Sequence, residues 1–431
     1  MLIDRADFAD LQDLAAHRQR LWEKQRDYVA ARSPLHRRAW GASRLPARLV
    51  GLAELPLIDK EMLRRSQRAH PPFGDYLAAE DSAISRVHRT SGTSGTAMNL
   101  ALSRRDAEET ALIGARAQSA SGLGPGIRVV HCLNYRLWMG GFTDHSILEA
   151  TGATVIPFGV GDTQLLIRTV QELGITAISC TPSYPAVLER VIAEHFPGLR
   201  PRDLGLELGL FGGEAGLDDP EFRRRLEATW GFAARNSNYG VTDVFSTFAG
   251  QSAVDNDLHF IALDILHPEL IDPASGAPLV WEEGAKGELV LTHLTRQCQP
   301  LVRFRTGDII RITGTGKARC GRTAPRFRVQ GRSDDMVVVR GINVFPTQIA
   351  AVLNAFPELS GEYRIVLDGS GPYDALPVEA ECAEGAAAGA GLAPAIERRI
   401  KAEIGVTARL SLLAFNSLPR SEGKTRRVIR R

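Results

Sequence analysis

A chain of 431 residues exceeds the size at which one core keeps growing, so length alone predicts two or more substructures. Hydrophobic residues at 44% and charged residues at 24% are globular proportions and exclude a disordered or collagen-like chain. The 52 Lys and Arg against 50 Asp and Glu leave a net charge of +2, which argues against nucleic acid or an anionic membrane as a partner.

Residues 1–25, MLIDRADFADLQDLAAHRQRLWEKQ, interleave charged and apolar side chains at helical spacing and lack the apolar stretch of a secretory signal. No apolar run reaches membrane-spanning length, and the expectation is a cytoplasmic protein. The five cysteines, Cys132, Cys180, Cys298, Cys320 and Cys382, are odd in number, scattered and without a CxxC pair, which suits free thiols in a reducing compartment.

The stretch 90–96, Thr-Ser-Gly-Thr-Ser-Gly-Thr, is the sharpest local feature. Its small residues let backbone N–H groups turn toward an anion. The hydroxyls of Ser91, Thr93, Ser94 and Thr96, spaced by Gly92 and Gly95, add donors suited to a polyphosphate. A flexible Ser/Thr/Gly linker fits the same residues equally well. A GxxxxGK[ST] loop does not fit, since the lysine and its following hydroxyl are missing.

Between 127 and 240, short apolar runs (IRVVHCL, ATVIPF, ITAISCT, LELGLFGG) alternate with helical spacing, as at Leu166, Val170 and Leu173. This predicts a largely parallel sheet covered by helices on both faces, with ligands beyond the carboxyl ends of the strands. The polar and glycine-rich pieces 134–136, 181–184, 212–216 and 238–243 would then share one crevice. Residues 250–328 read as strands and turns, with GELVLTHL and GDIIRI as strands. A boundary falls at 331–335, dividing a large domain, 1–330, from a small one, 331–431. In the small domain DMVVVRGINVF predicts a hairpin-like strand pair. A helix opened by Pro346 follows, with Ile349, Val352, Leu353 and Phe356 on its apolar side.

These pieces resemble, in order, the motifs of the acyl-adenylate-forming ligases. The 90–96 loop resembles their phosphate-binding motif, GGEAG (212–216) the adenine-side loop, and NYGVTD (238–243) the Tyr-Gly-x-Thr/Ser-Glu motif. FRTGD (304–308) resembles the ribose motif, GRSDDM (331–336) the hinge, and LPRSEGK (418–424) the C-terminal lysine motif. The versions VRFRTGD, CGRTAPR and GRSDDMVVVRGINVFPTQI are similar to phenylacetate-CoA ligases in particular. The resemblance implies an α/β fold: a large N-terminal domain of mainly parallel sheets with a β-rich subdomain, and a small, mobile α+β C-terminal domain on a hinge.

It also implies roles. ATP would be held by the loop, by Gly213 and Glu214, by Asn238, Tyr239 and Gly240 around adenine, and by Asp308 and Arg332 at the ribose. Thr242 would lie near the α-phosphate, Asp243 would reach Mg²⁺, and Lys424 would stabilise charge as the carboxylate attacks ATP. Asp334 would be the pivot and Gly341 would line the passage of coenzyme A, with a carrier-protein thiol as the alternative acceptor. The acid would meet Tyr135, Trp138, Gly140, Phe211 and Gly212, aromatic enough for an aryl or arylacetic acid. Arg136 would either recognise a second polar substituent or face outward. A degenerate nucleotide-binding protein is a third reading, and a homodimer is left open.

The sequence departs from that pattern. Thr96-Ala97 stands where the loop usually continues Lys-Pro, and Asp243 where Glu is usual. Relatives carry extra cysteines near positions matching 250–260 and 318–323. Only His259 and Cys320 remain here, so no structural zinc is expected.

Overall fold

The computed structural model describes residues 6–41, 45–90, 97–214, 216–340, 342–369, 373–386, 389, 391–419 and 427–431. The chain divides into two compact units: residues 1–214, 226–306 and 310–328 form the first, and 215–225, 307–309 and 329–431 the second.

In chain order the strands of the large sheets are β1 (Ile84–Arg89), β2 (Asn99–Ser103), β3 (Arg128–His131), β4 (Thr154–Ile156), β5 (Ala177–Cys180), β6 (Leu208–Gly212) and β7 (Ala233–Val241). They continue as β8 (Phe245–Gln251), β9 (Leu258–Phe260), β10 (Leu266–Ile271), β11 (Pro278–Leu279), β12 (Lys286–His293), β13 (Phe304–Gly314) and β14 (Arg326–Arg332). β1 and β2 pair by themselves. The other twelve form one sheet in the order β11-β10-β12-β13-β14-β9-β8-β7-β6-β5-β3-β4.

From β4 to β7 the pairings are parallel, and from β7 to β8 they turn antiparallel. The parallel half is the alternating stretch of sequence, and the helices Met139–Ala150, Thr163–Glu172, Tyr184–His195 and Pro220–Trp230 stand between its strands. β5 and β6 are buried at every position, as strands covered on both faces must be. Helix Thr163–Glu172 is capped by Asp162, whose side chain accepts from Leu165 N at 3.0 Å, and buries Leu166, Ile167 and Val170. Leu173, placed on that face by spacing, is exposed because the helix has already ended.

The second unit contains the hairpin β15 (Val337–Val339) and β16 (Ile342–Val344), antiparallel as the sequence suggested. A four-stranded sheet of β17 (Leu359–Leu367), β18 (Leu376–Cys382), β19 (Ala408–Leu413) and β20 (Val428–Arg430) follows, in the order β19-β18-β17-β20. Helices Pro346–Asn354 and Leu392–Ile404 pack on it through Ile349, Val352, Leu353, Ile396 and Ile400. Phe356 lies beyond the end of the first helix and is only partly buried.

Candidate active site

In the first unit the segment after β3 is shaped from within. His131 is buried, and its Nε2 lies 2.9 Å from the Gly140 carbonyl oxygen while its Nδ1 lies 3.1 Å from the Ser179 hydroxyl. Burial lowers its pKa to about 4, so the ring is neutral near pH 7 and ties the start of helix Met139–Ala150 to the strand ends. Leu137 takes a left-handed φ of 59°, and its carbonyl accepts from Arg89 N at 2.8 Å, which fixes the position of Trp138. The Tyr135 hydroxyl bonds His145 Nδ1 at 3.0 Å, and the Tyr135 ring meets His131 edge-on at 5.6 Å. Burial pushes that phenol up to about 12, so it keeps its proton.

Two residues assigned to the acid fare differently. Arg136 is exposed, with its backbone N–H donating to Asn134 Oδ1, so of the two orientations open to it the structure has the outward one. Phe211 is fully buried and packs against Phe232 at 5.7 Å. Its ring therefore belongs to the core, because β6 is covered on both faces.

The β7–β8 hairpin carries the next group. A register shift sets Gly212 opposite Asn238, and a Cβ on Gly212 would lie 2.6 Å from the Asn238 Cβ. A Cβ on Gly240 would lie 1.9 Å from the Ser246 carbonyl oxygen, so only glycine fits there. Tyr239 is half-buried between Phe248 at 5.2 Å and Phe327 at 5.4 Å, both edge-on. Thr242 is half-buried in the turn, and Gly213 and Glu214 are exposed after β6.

Asp243 is buried, and its Oδ2 accepts from Lys60 Nζ at 2.8 Å, while its Oδ1 is buried without a hydrogen-bond partner. An orphaned carboxylate oxygen of this kind is the donor a hard divalent cation uses, so the residue fits Mg²⁺. Sequence reasoning missed Lys60, which lies 183 positions away. It is held firmly: Ile58 bridges Phe304 in parallel register, and Asp59 caps the helix Lys60–Ala69 by accepting from Met62 N at 2.8 Å. Also missed was Asp144, which joins both hairpin strands through Asn238 and Ser246.

In the second unit Asp308 lies inside β13 rather than after it. Arg332 forks between two carboxylates, with Nη1 to Asp308 Oδ1 at 3.0 Å and Nε to Asp334 Oδ1 at 2.8 Å. Burial works against this guanidinium's charge, but Asp308 and Asp334 hold its pKa above the usual value. Gly307 has φ +76°, and a Cβ there would lie 2.8 Å from Arg332 Nη2. Asp308 and Asp334 thus share one cation.

Asp255, His259 and Cys320 bring three ligand atoms within 4.8 Å of one another. His259 Nε2 bonds Asp255 Oδ1 at 2.8 Å, and Cys320 Sγ lies 3.9 Å away. Asp255 is a third donor beside the two residues named from the sequence. The 91–96 loop, Gly341 and Lys424 lie outside the described residues. No helix among the described residues is long and apolar enough to cross a membrane.

The sheet turns from parallel to antiparallel at a Tyr-Gly hairpin, beside a buried carboxylate–lysine pair, and the helices between its parallel strands make this an α/β protein. Residues 341–431 match the AMP-binding enzyme C-terminal domain. The chain is 34% identical over 425 residues to the phenylacetate-coenzyme A ligase of Thermus thermophilus, covering 93% of each. It is similar to a solved 2-hydroxyisobutyryl-CoA ligase in the postadenylation state, in complex with R3-HIB-AMP: 30% identity, 99% of this chain, 91% of that one, TM-score 0.89. The same ligase in the thioesterification state, with 2-HIB-AMP and CoA, matches at 31% identity over 99% and 91%, with a TM-score of 0.72. The chain belongs to the phenylacetate-CoA ligase family of acyl-adenylate-forming ligases and is an AMP-forming acid–CoA ligase.

Proposed function

We propose that the enzyme converts an aryl or arylacetic acid, Mg-ATP and coenzyme A into the aryl- or arylacetyl-CoA, AMP and pyrophosphate by way of an acyl-adenylate. The observation that carries the nucleotide half is the Asp243–Lys60 pair at the turn after Tyr239, where one buried carboxylate oxygen has no hydrogen-bond partner and the other accepts from an ammonium. Mg²⁺ on Asp243 would neutralise phosphate charge during attack by the acid. Tyr239 offers a face to adenine, backed by Asn238, Gly240, Gly213 and Glu214. Thr242 lies at the α-phosphate, and Ser91, Gly92, Thr93, Ser94, Gly95 and Thr96 hold the outer phosphates. Asp308 takes the ribose hydroxyls and Arg332 orients it.

Tyr135 and Trp138 support an aromatic acyl group, with Gly140 and Gly212 leaving room for it. Lys424 supplies charge in the first half-reaction, Asp334 is the pivot, and Gly341 clears the thiol's path in the second. Pyrophosphate release tests this reading on a panel of aryl and arylacetic acids, with and without CoA. AMP and pyrophosphate with every active acid, and a thioester only when CoA is present, support it. ADP and phosphate as products would overturn it, and thioester formation on a carrier protein but not on CoA would reassign the acceptor.

A further inference from the structure

Because Arg136 is exposed, it supplies no buried cation to the acid side of the site. The buried charge in this region has the opposite sign. Asp144, in the second turn of helix Met139–Ala150, is 4% exposed, and among the described residues no cation pairs with it. Its partners are neutral: Asn238 Nδ2 donates to Oδ2 at 2.6 Å, and Ser246 Oγ donates to Oδ1. Thr247 Oγ1 donates to Asn238 Oδ1 at 2.6 Å, which fixes the amide with its NH₂ on Asp144.

The neighbours place this carboxylate. A Cβ on Gly140 would lie 3.6 Å from Asp144 Oδ2, and a Cβ on Gly212 would lie 2.6 Å from the Asn238 Cβ. The Asp144–Asn238 pair therefore stands between the two glycines proposed to make room for the acyl group. Such a position is costly. Burying a carboxylate without a counter-ion is unfavourable, and burial pushes this carboxyl up to about 6. A tie between helix and hairpin needs no charge, since a neutral amide could accept from Asn238 and donate to the Ser246 hydroxyl oxygen. An ionised carboxylate offers about four acceptor positions, and two are used here.

We infer that Asp144, oriented by Asn238 and Ser246, is a specificity-determining residue that accepts a hydrogen bond from a hydroxyl or amino group carried on the acyl part of the acid. The inference rests on the acid–CoA ligase reading and narrows its substrate class. An acid with a second carboxylate would meet like charge at this point and is disfavoured. An unsubstituted acid would leave the carboxylate's remaining acceptor positions unpaired.

The test is a matched set: phenylacetate and its ring-hydroxylated, ring-amino and ring-carboxylated forms, with kcat/KM read from pyrophosphate release at saturating Mg-ATP. The expected order puts a hydroxylated or amino acid roughly 10- to 100-fold above phenylacetate, with the carboxylated acid lowest. Asp144→Ala should compress that spread, and Asp144→Asn, which keeps the shape should the first variant fold poorly, should do the same while the KM for ATP stays near that of the parent. A merely structural residue would depress all acids together and leave their ratios intact. Equal or better use of phenylacetate by the parent, or unchanged ratios in Asp144→Asn, overturns the inference alone. No pyrophosphate release with any of these acids overturns the ligase reading and takes the inference with it.

Discussion

Lys60→Met removes the ammonium from a buried carboxylate while keeping most of the side chain's bulk. At 2.8 Å the pair's gross attraction is about 6 kcal/mol at an effective dielectric of about 20. Desolvation offsets much of this, and stripping one partner from a fully buried pair costs roughly 3–5 kcal/mol. The Lys60 side chain is 33% exposed against 2% for Asp243, so water screens the lysine's end, and we expect a loss of about 1–3 kcal/mol. For a unit of this size that lowers Tm by on the order of 2–8 °C. The variant should also respond more strongly to excess MgCl₂ than the parent does, because the cation would then be the carboxylate's sole counter-charge. Thermal unfolding with and without MgCl₂ measures both effects. Identical Tm values and identical Mg²⁺ responses would show that the pair is incidental and that Asp243 does not face the metal.

Asp308→Ala should raise the KM for ATP roughly 10- to 100-fold with the fold retained, since charge-assisted bonds to a ribose are worth about 1.5–3 kcal/mol each; an unchanged ATP titration removes Asp308 from the ribose. Gly240→Ala places a carbon 1.9 Å from the Ser246 carbonyl oxygen, so the hairpin must shift. A stability loss of about 2 kcal/mol or more is expected, and an unfolding curve matching the parent would contradict it. Burial raises Asp144 from 3.8 to about 6, so its stabilising contribution is complete below about pH 4 and lost as pH rises through about 6. Asp144→Asn should therefore gain up to about 3 kcal/mol relative to the parent between pH 4 and pH 7, whereas a pH-independent difference would refute the assignment.

The parallel half was legible because each buried strand is an apolar run between helical spacings, whereas the order of its strands in the sheet was not. Leu173 and Phe211 mark the limits of that reading. Periodicity carries on past a helix end, and an aromatic beside a glycine loop gives no sign of which face it takes. Asp243 stood out in the sequence by its place after Tyr-Gly, but its partner Lys60 did not. In LIDKEMLRR it looks like the first residue of a capped helix, and only the bridge from Ile58 to Phe304 carries it to the hairpin. Asp144 was hidden for a related reason: an acid in a helix reads as part of a solvated face until the β7–β8 hairpin is seen to cover it. Asp255 gave no signal because a lone carboxylate four residues before His259 belongs to no thiolate pattern.

In the proposed reaction the acid's own carboxylate oxygen attacks the α-phosphate of ATP. This step is tested most directly by supplying a turned-over acid labelled with ¹⁸O in its carboxylate, together with Mg-ATP and CoA, and weighing the products. The account predicts one ¹⁸O in each AMP and none in pyrophosphate. Label in inorganic phosphate alongside ADP, or AMP free of label, would contradict it.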